Sequence, residues 1–538
     1  MSRVINNPIL PGFNPDPSIV RVGNDYYIAT STFEWFPGVQ ILHSKDLINW
    51  RLISRPLNRT ELLDMTGVPD SGGIWAPCLT WHEGLFYLIY TNVKRLDGSF
   101  KDTHNYLSTC ESIEGDWSAP TYLTSSGFDP SLFHDDDGRQ WLLNMVWDYR
   151  PNYNSFGGIY LQEYSAEHKK MVGPIHNIFL GTHRGLTEAP HLYKRNGYYY
   201  LLTAEGGTGY EHVITMARSN SIFGPYEIDP SGYVLSAKSN EALPLQRAGH
   251  GDIVETPGGE FFLVYLCSRP IAGKKRSSLG RETAIQQVRW TQDNWLRLAS
   301  GGNTPELTSK LADGPSQPWP SYAERDDFTQ AELAMAYQWL RTSRPERLYS
   351  LAAREGYLRL YGRESVGSCY EQALVARRQQ DFCYTATTKV EFEPEHFQQL
   401  AGLICYYNRH KYHYLYISND PDRGKHIGIM SCAADQSEEA SFPLLDNELA
   451  GGLFHLPKNV PIYLRADVDI DQLLFSWSLD EKQWHTVPCE LDYSVLSDEA
   501  GKGEGNNFTG TFVGMCCQDL AGTAKHADFD FFDYQVRR

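Results

Sequence analysis

The stretch Asp16-Pro17-Ser18-Ile19-Val20, followed by the turn Gly23-Asn24-Asp25 and the aromatic run Tyr26-Tyr27-Ile28, returns four more times in the first half of the chain. Its counterparts are Ala76-Pro77-Cys78-Leu79-Thr80, Asp129-Pro130-Ser131-Leu132-Phe133, Ala189-Pro190-His191-Leu192-Tyr193 and His250-Gly251-Asp252-Ile253-Val254. Aligned on positions 17, 77, 130, 190 and 251, the copies are spaced 60, 53, 60 and 61 residues apart. Each later copy also carries its turn: Glu83-Gly84, Asp137-Gly138, Asn196-Gly197 and Gly258-Gly259. Asn-Gly and Asp-Gly accept positive φ and so favour tight hairpins. The second strand is aromatic each time, as in Phe86-Tyr87-Leu88, Trp141-Leu142-Leu143, Tyr198-Tyr199-Tyr200 and Phe261-Phe262-Leu263. Such side chains suit a pleated, packed surface.

About sixty residues hold one four-stranded antiparallel sheet with its turns. Copies of such a sheet arranged around an axis make a β-propeller, and five copies predict five blades. The innermost strand of each blade lines the axis, so equivalent positions converge at one end of the channel. Asp16, Asp129, Glu188 and His250, remote in sequence, are thereby expected to meet. A β-sandwich with coincidental proline spacing is the alternative. The joint recurrence of proline, turn and aromatic strand argues against it.

At 538 residues the chain is too long for a single core. The repeat stops after residue 300, and Gly314-Pro315-Ser316-Gln317-Pro318-Trp319-Pro320 forms part of a proline-rich connector. Beyond it, segments such as Thr388-Lys389-Val390-Glu391-Phe392 and Ile462-Tyr463-Leu464-Arg465-Ala466 alternate inward and outward residues, the pattern of a sandwich. The expected organisation is all-β: a five-bladed β-propeller over residues 1–312, a connector over 313–325 and a β-sandwich over 326–538.

The formal charge of −18 and the absence of a basic stripe exclude nucleic acid as a partner class. No apolar stretch approaches membrane-spanning length, and the first residues lack a secretory apolar core, so a cytoplasmic location is expected. The ten cysteines have neither CxxC nor zinc-type spacing and read as reduced thiols. Asp135-Asp136-Asp137-Gly138 lacks the rest of a calcium loop and sits where a hairpin turn belongs. No cofactor or metal is required by the pattern.

A channel lined by carboxylates and aromatic rings suits sugars. Glycoside hydrolysis needs one carboxyl to protonate the leaving oxygen and another to activate water or attack the anomeric carbon. Asp16, stiffened by Pro15 and Pro17, is the expected general base. Glu188 reaches one methylene further and is the expected general acid, its pKa raised by burial and by neighbouring carboxylates. Asp129 is the expected third charge, orienting Glu188 and raising its pKa. Trp75 and Phe33 are candidate sugar platforms. His250 is a candidate charge partner or hydrogen-bond donor, with a single metal ligand to a channel cation as the alternative. Arg281 either holds Asp16 ionised or binds a sugar hydroxyl, the alternative being a surface pair with Glu282.

These residues also resemble a known group. Phe13-Asn14-Pro15-Asp16-Pro17-Ser18, Thr32-Phe33-Glu34-Trp35-Phe36-Pro37-Gly38, Ser71-Gly72-Gly73-Ile74-Trp75-Ala76-Pro77, Thr203-Ala204-Glu205-Gly206-Gly207-Thr208 and Leu279-Gly280-Arg281-Glu282-Thr283-Ala284 are similar to segments of the β-xylosidases of glycoside hydrolase family 43. The likeness extends to Phe508-Thr509-Gly510-Thr511-Phe512 near the C-terminus. It implies an inverting mechanism, a concanavalin-like jelly-roll sandwich, and the base, acid and modulator roles for Asp16, Glu188 and Asp129. It also implies that Phe33, Trp75, Phe128, Thr208, His250 and Arg281 fall on pocket positions and that Phe508 is the sandwich residue helping to close the pocket. The implied substrates are short β-1,4-xylooligosaccharides cut from the non-reducing end, with side α-L-arabinofuranosidase activity, and the implied assembly is a dimer or tetramer. The connector from Ile271 to Ser278 is shorter than usual for the family, and Cys78 and Thr80 are unusual beside their signature. Two other readings are an enzyme that is primarily an α-L-arabinofuranosidase, and a non-catalytic carbohydrate-binding protein. Three carboxylates in register argue against the last, since binding alone needs no acid–base pair.

Overall fold

The computed structural model describes residues 3–312, 314–320, 322–433, 454–501 and 507–537. Asp313 and Ser321 of the expected connector, with Met1 and Ser2, lie outside the described residues. Among the described residues every element is a strand except two single 3-10 turns, Pro345–Arg347 and Tyr493–Val495.

The five repeats fold as five antiparallel sheets in which sequence order runs from the innermost strand outward. Their innermost strands are Ser18–Val22, Gly73–His82, Ser131–His134, Glu188–Arg195 and Gln246–Glu255. Each of these touches the next, and the fifth touches the first, so the ring is closed. The expected five-bladed propeller is therefore found. The Asn196-Gly197 and Glu83-Gly84 turns take positive φ at both residues, as tight hairpins require. Asp135-Asp136-Asp137-Gly138 is the expected turn: the Gly138 N–H donates to Asp135 O (3.0 Å), and the Asp135 carboxylate accepts from Lys194 Nζ (2.6 Å) and the Tyr199 hydroxyl (2.8 Å).

The second strand of the fifth blade, Phe261–Ser268, shows why the central strands are apolar on both sides. Phe262 and Val264 pack with Ile19, Ile28 and Leu42 of the first blade. The alternate residues Leu263, Tyr265 and Cys267 pack with Tyr200, Leu202 and Ile214 of the fourth. Successive side chains of a strand point to opposite faces, so a strand sandwiched between two blades has no solvent face. Each large side chain fully buried in this way contributes about 1.5–3 kcal/mol.

Polar bonds near the axis tie blade to blade. Asp252, on the fifth innermost strand, accepts from the Ser18 hydroxyl (2.9 Å), the Ile19 N–H (2.8 Å), the Tyr193 hydroxyl (2.6 Å) and the Ile253 N–H (2.8 Å). Four donors satisfy this buried carboxylate. The N-terminal segment closes the ring from outside by running along the fifth blade. Leu10 and Thr283 exchange backbone hydrogen bonds, the Asn7 amide pairs with the Ile285 backbone, and Arg3–Asn6 pairs antiparallel with Thr308–Leu311.

The chain divides into two compact units, and the division departs from the expected boundaries. The propeller unit comprises residues 1–63, 72–269 and 281–319; the second unit comprises 64–71, 270–280 and 320–538. Two segments counted with the propeller in sequence thus belong to the second unit, because their polar partners lie there. Asp70 accepts from Arg341 (2.7 Å) and Arg409 (3.1 Å), while Lys274 pairs with Asp471 (2.6 Å) and Ser277 donates to Glu499. The short connector from Ile271 to Ser278 is one of these segments. The predicted linker is also divided. Gln317 N–H donates to Asp46 and the Trp319 indole to His43 O, which fixes its first half on the first blade.

The second unit is the expected β-sandwich. One sheet runs in the order 349–350, 358–361, 526–536, 383–391, 462–469, 472–478 and 485–492. The other contains, in order, 454–455, 424–433, 411–420, 399–408, 512–519, 373–378 and 337–340. The vicinal Cys516 and Cys517 are ordinary residues of the strand Phe512–Asp519, and all ten cysteines are free thiols.

Candidate active site

One backbone feature recurs in or just before all five innermost strands. Asp16, Ala76, Asp129, Ala189 and His250, each immediately before the Pro or Gly of its repeat, have φ of 55°, 40°, 54°, 51° and 48°. None is a glycine, and a left-handed residue costs about 1–2 kcal/mol. Such strain clusters where the surrounding structure over-determines it. Here it coincides with shifts of strand register between Trp75 and Cys78, between Glu188 and His191 and between Gly249 and Gly251. In the fourth blade the left-handed position is occupied by Ala189, and the carboxylate comes from the residue before it.

Asp16 is buried and held by groups of its own blade and of the fifth. Ser31 Oγ donates to its Oδ2 (2.6 Å), Arg281 Nη1 donates to its Oδ1 (2.9 Å), and His250 Nδ1 lies 3.8 Å from Oδ1. Burial alone would raise its pKa. Arg281, then His250, the Ser31 hydroxyl and His212 outweigh that and hold it below the usual carboxylate range. Arg281 is itself buried, reaches Thr208 Oγ1 (3.1 Å) and lies over the Phe33 ring with its Cζ 5.4 Å from the centroid. The alternative of an Arg281–Glu282 surface pair does not hold: Glu282 is fully buried and binds Arg269 and the Gly12 N–H.

Glu188 and Asp129 are joined through the backbone, since the Ala189 N–H donates to Asp129 Oδ2 (3.1 Å). Burial first, then the charges of Asp129 and Asp16, push Glu188 well above the usual range, against Arg281. Burial and Asp16 raise Asp129 in turn, against the Ala189 N–H and Arg281. Each of the two carboxyls is thereby pushed toward its protonated form, Asp129 up to about 8. The site thus contains an ionised carboxylate at Asp16 and a proton-bearing pair beside it. Environments that separate carboxyl pKa values in this way assign base and acid. Burial also lowers His250 to about 4, against the pull of Asp16, so its imidazole is neutral.

The aromatic side of the site is a continuous row of rings. Centroid distances are 5.7 Å for Phe13–Phe33, 5.9 Å for Phe33–Trp75, 5.4 Å for Trp75–Phe128 and 6.1 Å for Phe128–Phe156. Phe33 is fixed by exchanging backbone hydrogen bonds with Ile74 (2.9 and 3.0 Å). The Phe128-Asp129 segment is fixed at Gly127, where an added Cβ would lie 1.9 Å from Met145 O. Only glycine allows that approach.

Of the sequence-predicted residues, Asp16, Asp129, Glu188, Phe33, Trp75, Phe128, Thr208, His250 and Arg281 are drawn together in the propeller unit by these contacts. Phe508 belongs to the second unit, where its N–H donates to Ser71 Oγ (3.0 Å). No group of three or more His, Cys, Asp or Glu among the described residues could hold a metal ion. Sequence reasoning missed Ser31, His212 and Glu205 as members of the site. Glu205 accepts from Thr187 Oγ1 (2.9 Å) and from the Thr182 N–H (2.8 Å), and so braces the residue next to Glu188. Its place in the Ala204-Glu205-Gly206-Gly207 run was a usable signal; Ser31 and His212 carry none.

Ser31 makes a direct test of how Asp16 is held. Its hydroxyl donates to Asp16 and accepts from the Ala76 N–H (2.7 Å). Ser31→Ala leaves a buried N–H unpaired and removes a donor from the carboxylate. The expected cost is about 1–3 kcal/mol in denaturant unfolding, and the acid limb of the pH–activity profile should move up because Asp16 loses a bond to its charged form.

A buried ionised carboxylate facing a protonated carboxyl beside an aromatic wall, at the mouth of a β-propeller, defines the class: a glycoside hydrolase. Comparison with family models makes this specific. Residues 5–296 match glycosyl hydrolases family 43, and residues 325–535 match the beta xylosidase C-terminal concanavalin A-like domain. The chain belongs to glycosyl hydrolases family 43. It is 51% identical to xylosidase/arabinosidase 43B of Humicola insolens over 99% of this chain and 97% of that one. It is 48% identical to a beta-xylosidase of Bacillus subtilis strain 168, over 99% of this chain and all of the relative. The crystal structure of xylan beta-1,4-xylosidase from Bacillus halodurans C-125 superposes with a TM-score of 0.95 at 51% identity, covering 99% of this chain and 100% of that chain.

Proposed function

We propose that the enzyme is an exo-acting, inverting β-1,4-xylosidase that releases xylose from the non-reducing ends of xylooligosaccharides. The observation that carries the reading is the opposed state of two buried carboxyls, Asp16 ionised and Glu188 protonated. Glu188 gives its proton to the glycosidic oxygen as the C1–O bond breaks and the bonding electrons pass to the leaving group. Asp16 takes a proton from the water that attacks C1 on the opposite face. Asp129 keeps Glu188 protonated and aimed. Trp75, Phe33 and Phe128 cover the apolar face of the sugar, while Arg281, Thr208 and His250 serve its hydroxyls.

The close relatives named for xyloside hydrolysis support this choice of substrate. A second activity on α-L-arabinofuranosides is supported by the name of the Humicola relative and by a Bacteroides ovatus relative, 32% identical, named a non-reducing end alpha-L-arabinofuranosidase. A cytoplasmic site of action is consistent with ten free thiols, and a dimer or tetramer remains part of the proposal. Proton NMR during xylobiose hydrolysis should show α-xylose as the first product; initial β-xylose overturns the inverting assignment. kcat/KM on aryl β-xyloside should exceed that on aryl α-L-arabinofuranoside, and the reverse order makes the enzyme an arabinofuranosidase first.

A further inference from the structure

His212 is a histidine that neither the repeat nor the proposed mechanism uses. It opens the third strand of the fourth blade, immediately before Val213–Ser219, and its residue is 1% exposed. Nδ1 lies 3.2 Å from Arg247 O. A carbonyl only accepts, so Nδ1 must carry the ring proton. Nε2 is then a bare lone pair. It is buried with no hydrogen-bond partner, and it lies 4.0 Å from Glu188 Oε1. The ring packs closely against Gly249, where even a Cβ would come within 2.2–2.4 Å of three of its atoms. Arg247, whose carbonyl fixes the ring, is in turn anchored by its Nε on Thr208 O (3.0 Å).

We infer that His212 is a positioning residue for the proton on Glu188. A neutral imidazole with its lone pair toward Glu188 can accept a hydrogen bond from the protonated carboxyl and can offer nothing to the carboxylate. It therefore favours the acid form and gives the proton a defined resting place. The gap of 4.0 Å must close by about 1 Å for a full hydrogen bond, a tightening common between apo and substrate-bound catalytic groups. On catalysis the proton leaves Glu188 for the departing oxygen. The attacking water gives a proton to Asp16, and exchange with solvent returns one to Glu188. Asp129, Asp16 and Arg281 face Glu188 from the other blades, with Glu205 behind Thr187. His250, Arg281 and Arg247 face His212, and burial among them lowers its pKa to about 3, which keeps it neutral throughout the working range.

The inference rests on Glu188 being the general acid, and the test separates the two. His212→Asn keeps a donor for Arg247 O and removes the lone pair. The alkaline limb of kcat/KM should then move down by about half to one pH unit. His212→Gln can turn its amide oxygen toward the protonated carboxyl in place of the Nε2 lone pair and should leave the limb closer to the wild-type pH than the Asn variant does, with KM little changed. An alkaline limb that stays at the wild-type pH in the folded Asn variant overturns the inference. Nitrogen-15 NMR of the wild-type ring, which needs no variant to fold, should report a proton on Nδ1 and none on Nε2; the opposite tautomer also overturns it. If instead Glu188→Ala loses activity equally on good and poor leaving groups, the acid assignment itself is what has failed.

Discussion

Glu188→Ala is expected to lose about 10²–10⁴-fold in kcat on xylobiose, the usual contribution of a general acid. The loss should be far smaller on an aryl xyloside whose phenolate leaves without protonation. The reason lies in the pocket: Glu188 is the carboxyl that burial, Asp129 and Asp16 together keep protonated. Steady-state kinetics on the two substrates check this, and equal losses would move the acid role to another residue. The alkaline limb of the pH profile should disappear with the side chain. Stability should change in the opposite sense. A carboxyl with a raised folded pKa costs nothing while both states are protonated, below the unfolded value of about 4.3. It destabilises the fold progressively as pH rises toward its folded pKa, because only the unfolded state can ionise freely. Glu188→Gln, neutral at every pH, should therefore melt at a higher temperature than the wild type at neutral pH, and the gain should vanish below about pH 4.

Asp16→Ala should be inactive on every leaving group, again by about 10²–10⁴-fold or more, because water must be activated whatever departs. That pattern distinguishes it from the Glu188 variant in the same assay. A structural cost comes with it. Arg281 is buried and gives its charge to Asp16 at 2.9 Å. Removing one partner of a buried pair costs about 3–5 kcal/mol, visible in the propeller's unfolding transition. The depressed folded pKa of Asp16 means that its contribution is present above the unfolded value of about 3.9 and is lost as pH falls through the folded one. The share of the difference in melting temperature that comes from the Asp16 charge should accordingly be lost in strong acid. Any residual activity should show an alkaline limb shifted to lower pH, since Glu188 has lost one of the two charges that raise its pKa.

Much of this site was legible in the repeat. The innermost strands are equivalent by construction, so residues beside the repeated proline had to converge, and Asp16, Asp129, Glu188 and His250 do so. The offset of Glu188 was also visible. Its cause was not, because a register shift is a property of two paired strands: Ala189 takes the left-handed turn, and Glu188 is displaced ahead of it. Ser31 and His212 left no trace in the chain for the same kind of reason. Each matters through one atom of a partner elsewhere in its own blade, Ser31 through Asp16 and His212 through Glu188, and no periodicity records that.

The sequence by itself determined the blade count, the order of the blades and the identity of the three carboxyls. These follow from local grammar: a proline before a strand, a glycine in a turn, an aromatic strand that needs a neighbour on both faces. Only the tertiary structure decided which carboxyl is ionised, which carries the proton, and that segments 64–71 and 270–280 fold with the second unit. Protonation state and unit membership are set by what surrounds a residue in space. Arg281 reaches Asp16 across 265 positions of chain. No local pattern can encode the charge, burial and hydrogen bonds that such a distance brings together.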